Sequence, residues 1–142
     1  MSTGKILAID LGEKRIGLAL GDATARLSRP LGMIPHRSLD EDIASILSVA
    51  AEHEVTRVII GQSLGPNGEE TGQSRHASRF AAALSRSADL PVTLWDESLS
   101  SQDARRLIRE SGARNRRKAP DDALAAAVFL QSYLDSLPLP SI

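Results

Sequence analysis

Apolar residues follow two different spacings along the chain, and the first of them predicts strands. Residues 5–11 and 15–21 are apolar stretches joined by a short turn at 12–14, which predicts an antiparallel hairpin. A third strand is predicted at 30–35, although the prolines that flank it weaken the pattern. We therefore expect the N-terminal part of the chain to start a sheet.

Helical spacing begins after Ser38. Ser38 followed by Glu41 forms a capping box, and the apolar residues behind it predict an amphipathic helix over 39–54. The rest of the chain alternates between short buried strands and helices. The predicted segments are a strand at 55–60, a glycine-rich loop at 61–72, a helix at 73–88, a strand at 91–95, a helix from Ser100 or Ser101 to about 111, a basic loop at 112–120 and a helix at 120–136. This order predicts one α/β domain over residues 1–142, with a mixed sheet flanked by helices.

Composition is typical of a globular protein and excludes several classes of function. The 142 residues are 42% hydrophobic and 25% charged, but only 3% are aromatic, which argues against a base-stacking platform. Cysteine is absent, so disulfides, thiolate catalysis and cysteine zinc sites are excluded. There is no long apolar run and no signal-peptide pattern, so we expect a cytoplasmic protein without membrane contact. Three histidines show no metal-ligand spacing and are predicted to be surface residues: His36, His53 and His76.

Positive charge is concentrated in one segment of a chain whose net charge is −1. Residues 104–118 contain seven basic residues and one acidic residue, so the remainder of the chain is acidic. This asymmetry predicts a face that binds a polyanion, and a solvated helix face is the structural alternative. The basic residues are Arg105, Arg106, Arg109, Arg114, Arg116, Arg117 and Lys118.

Asp10, Glu97 and Asp122 are acidic residues at points where a strand ends or a helix begins. Carboxylate oxygens suit Mg²⁺, and a pair of such ions can clamp the attacking and leaving oxygens of a phosphodiester. Each position also has a structural alternative. Asp10 could cap the hairpin turn, Glu97 could belong with Asp96 to a solvated strand end, and Asp122 could join Asp121 in complementing the helix dipole.

Four sequence blocks follow one another along the chain, and they are Asp10–Gly17, Val58–Gly61 with the loop Gly65–Gly68, Trp95–Ser101, and Asp122–Ala126 running into Leu130–Leu134. In these blocks and their order the chain resembles the YqgF/RuvX family of Holliday-junction-resolvase-like nucleases, which are linked to maturation of small-subunit ribosomal RNA. The resemblance implies an RNase H-like fold with a five-stranded mixed sheet and helices on both sides. It also implies that Asp10, Glu97 and Asp122 hold Mg²⁺ or Mn²⁺ and that Arg15 holds a substrate phosphate.

The chain departs from the family pattern at three places. Gln62-Ser63 stands where the family usually has Leu-Pro, and Ser98 replaces the usual arginine, which removes one phosphate contact. Ser100 and Ser101 replace a Thr-Thr pair and keep the hydroxyl groups.

These features predict a metal-dependent nuclease in which a water activated by the ions is the nucleophile. The expected partner is structured nucleic acid, most of all precursor 16S ribosomal RNA and also branched DNA junctions. The chain would act as a monomer or weak homodimer. The residues expected to bind the nucleic-acid backbone are Arg15, Arg105, Arg109, Arg114, Arg116, Arg117 and Lys118.

Two other functions fit parts of the pattern. The actin and sugar-kinase superfamily opens with a similar Asp-x-Gly motif, but those proteins close two such domains around ATP, and this chain has one and no P-loop. A non-catalytic factor of the same fold could assist ribosome assembly or transcription through the basic segment.

Overall fold

Five strands form one mixed sheet in the computed structural model of the protein. The structure describes residues 4–99, 102–112 and 121–138, and gives positions 111, 112, 121 and 122 by their backbone alone. The strands are β1 (Lys5–Leu11), β2 (Arg15–Asp22), β3 (Leu27–Pro35), β4 (Val55–Gln62) and β5 (Val92–Asp96). Their order is β3-β2-β1-β4-β5, with antiparallel pairs on the β3 side and parallel pairs on the β5 side. The predicted α/β class with a five-stranded mixed sheet is confirmed.

Helices cover both faces of the sheet. They are α1 (Leu39–Glu52), α2 (Gly72–Ser87), α3 (Gln102–Gly112) and α4 (Asp121–Ser136), with a short 3₁₀ turn at Glu97–Leu99. On one face Ile46 of α1 and Phe80 of α2 pack on strand residues such as Ile9. On the other, which we call the α4 face, Ile108 of α3 and Phe129 of α4 pack on the sheet. None of these helices, within the described ranges, is long and apolar enough to cross a membrane.

Alternation along β1 decides which side chains reach the α4 face. Leu7, Ile9 and Leu11 belong to the core under α1 and α2, whereas Ala8 belongs to the core under α4. Because successive strand residues point to opposite faces, Asp10 lies on the α4 face with Ala8.

The third strand is longer than its prediction. β3 begins at Leu27, and its register against β2 shifts between Leu18 and Ala19, which marks a bulge. Pro30 and Pro35 are tolerated because β3 is an edge strand whose outer side needs no donors. A strand pattern interrupted by prolines is therefore a poor guide to the length of an edge strand.

Side-chain hydrogen bonds cap α1 and α2, the two helices on the face opposite the α4 face. The Ser38 hydroxyl accepts from the Glu41 N–H at 3.2 Å, as the capping pattern predicts. Thr71 and Ser74 form a full capping box at the start of α2, with distances of 2.8 and 3.0 Å. The second box was not predicted, because its third residue is serine and not the glutamate or glutamine of the usual pattern.

A buried glutamine ties helix α4 to the β2–β3 turn and to the start of β3. Gln131 Oε1 accepts from the Ser28 N–H at 3.0 Å, and Gln131 Nε2 donates to the Arg26 carbonyl at 2.9 Å. The Ser28 hydroxyl in turn donates to the Ala127 carbonyl at 2.7 Å. The helix is thereby fixed along β2 and β3 by polar contacts as well as by its apolar side.

Candidate active site

Asp10 and Glu97 lie at the same edge of the sheet. Ile9 pairs with Ile60 and Trp95 pairs with Gly61, so Asp10 comes level with Gly61, and Glu97 follows just beyond it. The strand between them is β4, which separates the axes of β1 and β5 by about 9–10 Å. The carboxyl ends of neighbouring parallel strands are where α/β proteins collect ligands.

Gly61 leaves room for the Glu97 side chain above β4. A Cβ atom at Gly61 would lie 2.6 Å from Glu97 Oε1 and 2.7 Å from Phe129 Cε2. Phe129 belongs to α4, so the Glu97 carboxylate occupies the α4 face, the same face as Asp10. The missing side chain lets Glu97 lean over the middle strand toward Asp10.

The two oxygens of Glu97 have different surroundings. Oε2 accepts a hydrogen bond from the Ser63 hydroxyl at 3.1 Å. Oε1 is buried and has no hydrogen-bond partner within the described part of the chain. A buried carboxylate oxygen without a partner is costly unless a cation or a donor meets it, so this atom fits a site for a hard divalent cation.

Two arginines border the carboxylates. Arg15 is exposed on β2, two residues before Gly17, which pairs with Asp10, so it is the diagonal neighbour of Asp10 on the α4 face. Arg105 of α3 lines an open cleft of about 310 Å³ together with Glu97 and Phe129. Guanidinium groups at such positions match the geometry of phosphate oxygens.

The other predicted site residues are only partly described. Asp122 lies in the first turn of α4, and the structure describes its backbone but not its side chain. Arg109 is exposed one turn beyond Arg105 on α3. Four predicted phosphate-binding residues fall outside the described residues, namely Arg114, Arg116, Arg117 and Lys118. Among the side chains that are described, no three histidine, aspartate or glutamate residues come together as a metal site.

Comparison with known proteins identifies the chain's relatives. The family model for RuvX, described as "Holliday junction resolvase", matches residues 4–136. The chain belongs to this family. A relative from Anaeromyxobacter sp. (strain Fw109-5), described as "Putative pre-16S rRNA nuclease", is 42% identical over 132 residues, which are 92% of this chain and 96% of the relative.

Solved structures at low sequence identity share the fold of this RuvX-family chain. T. thermophilus RuvC in complex with a Holliday junction substrate has a TM-score of 0.61 at 14% identity, covering 92% of this chain and 93% of that one. The yeast mitochondrial Holliday junction resolvase Ydc2 has a TM-score of 0.57 at 10% identity, covering 93% and 78%. The RNase H-like fold expected from the RuvX resemblance is thereby confirmed.

Sequence reasoning missed the contacts that surround Glu97. The sequence marks Ser63 only as a departure from the RuvX pattern, and Phe129 only falls within the helix predicted at 120–136. The departure at position 63 was the one available signal, because a hydroxyl replaced a residue that has none.

A second polar cluster lies between α1 and α2. Asp42 is buried, and its carboxylate contacts His36 Nδ1 at 2.5 Å and the Arg37 N–H at 3.0 Å. His76 packs edge-on against both His36 and Phe80, and its burial, with His36 and Arg79 nearby, lowers the pKa of His76 below its usual 6.5. The prediction that His36 and His76 are plain surface residues is therefore wrong, because both are half-buried in this cluster.

Proposed function

We propose that this protein is a divalent-metal-dependent nuclease that hydrolyses phosphodiester bonds in precursor 16S ribosomal RNA. The observation that carries the proposal is the Glu97 carboxylate, which lies over Gly61 on the face of Asp10 with Oε1 buried and unpartnered within the described residues. Family membership supports the reaction class, and the description of the 42% identical relative supports the substrate. Such a nuclease would work in the bacterial cytoplasm, where ribosomal RNA is made.

Asp10, Glu97 and Asp122 would hold the cation, which we take to be Mg²⁺ or Mn²⁺. A bound divalent cation supplies Lewis-acid charge that favours attack of water on the phosphate and stabilises the transition state. Support for including Asp122 comes from the backbone register of α4, in which position 122 precedes Phe129 by two helical turns.

The arginines would bind the substrate backbone. Arg15 and Arg105 border Asp10 and Glu97, so each can hold a phosphate next to the scissile one. Arg109 would extend this contact along α3, and the basic segment 114–118 would add further phosphate contacts. These contacts orient the nucleic acid without reading its sequence.

Cleavage of labelled RNA tests the proposal. Purified protein is incubated with a precursor 16S fragment, or with a four-way DNA junction, in Mg²⁺, Mn²⁺ or EDTA. We expect cleavage of the RNA with either metal and none in EDTA. Cleavage of the junction alone would show that the substrate assignment is wrong while the chemistry stands.

Two nearly isosteric substitutions test the residues. Asp10→Asn and Glu97→Gln keep the shape of each side chain and remove its negative charge, so both should abolish cleavage and leave the fold intact. Asp40→Asn is the matched control, because Asp40 is exposed in the first turn of α1 on the opposite face. Wild-type cleavage by the Asp10→Asn protein would refute the proposed site.

A further inference from the structure

Ser63 is held in place through all three of its polar groups. Its N–H donates to Gln73 Oε1 at 2.5 Å, and its carbonyl accepts from Thr71 Oγ1 at 2.5 Å. Its hydroxyl donates to Glu97 Oε2 at 3.1 Å. Two of the three contacts therefore fix the backbone of Ser63, and the third reaches the carboxylate.

The residues that hold Ser63 are themselves fixed. Gln73 Nε2 also donates to the Gly61 carbonyl at 3.3 Å, so one side chain joins two backbone groups at the end of β4. Thr71 is the N-cap of α2 and is locked by the reciprocal capping box with Ser74. The hydroxyl of Ser63 is thus carried by a frame built from the end of β4 and the start of α2.

Glu97 depends on such a frame because its side chain is long and turns about three bonds. Its carboxylate lies in the space above Gly61, where Oε2 has one donor and Oε1 has none within the described residues. Fixing one oxygen of a planar carboxylate restricts the direction of the other. The hydrogen bond from Ser63 therefore sets where Oε1 points.

We propose that Ser63 is a positioning residue that orients Glu97 so that Oε1 is presented to the divalent cation. This inference rests on the proposed function, since it assigns a role in the same metal site. Hydrogen-bond partners of metal ligands orient the ligand before the ion arrives, and their loss typically weakens metal affinity roughly 10-fold to 100-fold.

Direct Mn²⁺ binding tests the role of Ser63 without any cleavage step. Free Mn²⁺ is measured by electron paramagnetic resonance during titration of the purified protein. We expect Ser63→Ala to raise the Mn²⁺ dissociation constant roughly 10-fold or more, as for other partners of metal ligands. Ser63→Thr keeps the hydroxyl and should bind Mn²⁺ as the wild type does, whereas Ser63→Val has the shape of threonine without the hydroxyl and should bind as weakly as Ser63→Ala.

The matched control is Ser87→Ala. Ser87 lies at the far end of α2, about 20 Å from the start of that helix, and its hydroxyl donates to the Ala83 carbonyl at 2.9 Å. Loss of this hydroxyl should leave Mn²⁺ affinity unchanged. If Ser63→Ala fails to fold, Ser63→Thr and Ser63→Val still test the hydroxyl, because the two side chains have the same shape and only threonine carries a hydroxyl group.

The outcomes separate this inference from the proposed function. Wild-type Mn²⁺ affinity in Ser63→Ala, or equal Mn²⁺ affinity in Ser63→Thr and Ser63→Val, would overturn the role of Ser63. If Glu97→Gln meanwhile loses Mn²⁺ binding, the metal site itself still stands. If Asp10→Asn and Glu97→Gln both bind Mn²⁺ as the wild type does, the site is elsewhere, and the inference about Ser63 is overturned with it.

Discussion

The Glu97 carboxylate can lie over the end of β4 because Gly61, the residue beneath it, has no side chain. The Cβ position of Gly61 is closer to Glu97 Oε1 and to the Phe129 ring than atoms in contact allow. Gly61 is therefore required by the packing of its neighbours, and the backbone conformation is not the reason. The same space determines both the stability of this edge and the position of the carboxylate.

Gly61→Ala should damage stability and the site together. The new methyl group displaces Glu97 or Phe129, and overpacking of this kind typically costs about 1–3 kcal/mol. Urea unfolding measures the change in the free energy of unfolding. Titration with Mn²⁺ measures the effect on the site, and we expect Gly61→Ala to lower the Mn²⁺ affinity. Gly72→Ala is the control, since among the described residues no atom outside its chain neighbours and its own helix backbone lies within 4 Å of its Cβ position, and alanine favours a helix. Unchanged Mn²⁺ affinity in Gly61→Ala would contradict the conclusion that the space above Gly61 sets the position of the Glu97 carboxylate.

His76 should make stability depend on pH. Its pKa is lowered in the folded protein, first by burial and then by His36 and Arg79, while Asp42 opposes the shift. As the pH falls through 6.5, the unfolded chain takes up the proton before the folded protein does, so the free energy of unfolding decreases. The decrease ends once the pH is below the lowered pKa, because both states are then protonated.

Urea unfolding at several pH values between 7.5 and 5.5 checks this effect. His76→Gln should show a shallower loss of stability than the wild type across that range. His53→Gln serves as the control, because it removes a histidine outside the cluster and keeps the His36–Asp42 contact. Equal pH slopes in the wild type and His76→Gln would show that His76 does not contribute.

Individual site residues differ in how far the sequence reveals them. Asp10 was predicted because a carboxylate that continues an apolar strand needs a partner, and the structure puts it at the sheet edge on the α4 face. The role of Ser63 depends on a contact with Glu97, 34 positions away, which arises only when β4 and β5 pair. The local sequence pattern around either residue does not reveal that contact.

At the scale of elements, α4 connects the site to the rest of the protein. Its apolar side supplies Phe129 to the cleft, and its buried Gln131 bonds to the β2–β3 turn. Helices and central strands were predicted well because their apolar spacing is regular. Edge strand β3 was predicted too short, because its prolines and bulge break that regularity.

Gln131→Met should destabilise the protein although methionine has a similar length. The Ser28 N–H and the Arg26 carbonyl lose their partner, and a buried polar group left unpaired costs about 1–3 kcal/mol. Urea unfolding measures the loss. Gln102→Met, at an exposed position of α3, should change stability by less than about 0.5 kcal/mol. Similar values for the two variants would show that the buried contacts contribute little.

At the scale of the whole molecule, charge is distributed unevenly. Arg15 lies on β2 and Arg105 and Arg109 lie on α3, and the other predicted phosphate-binding residues follow α3 in the chain, while α2 carries basic residues on the opposite face. Backbone binding by one face predicts that only charges on that face affect the salt dependence of affinity.

Replacement of Arg114, Arg116, Arg117 and Lys118 by alanine should reduce this salt dependence. The slope of log affinity against log salt should become shallower by up to about 0.9 for each lost contact on duplex, or about 0.7 on a single strand. Filter binding of labelled nucleic acid over a series of salt concentrations measures this slope. The control replaces the exposed Arg75, Arg79 and Arg86 of α2, which should leave the slope unchanged. The same slope in both proteins would mean that segment 114–118 does not contact the backbone.

The attachment of α4 by distant contacts has a consequence for inactivation. Helices α1 and α2 pack beside the strands that they connect, whereas the bond between Ser28 and Gln131 joins positions 103 apart. Proteins open locally in contiguous units, and we expect α4 with its own apolar cluster to open as such a unit while the opposite face stays folded. Detachment would remove Phe129 from the cleft and would also remove the turn that contains Asp122, which we propose as a metal ligand. Low concentrations of urea should then abolish cleavage while most of the circular dichroism signal of the protein is unchanged.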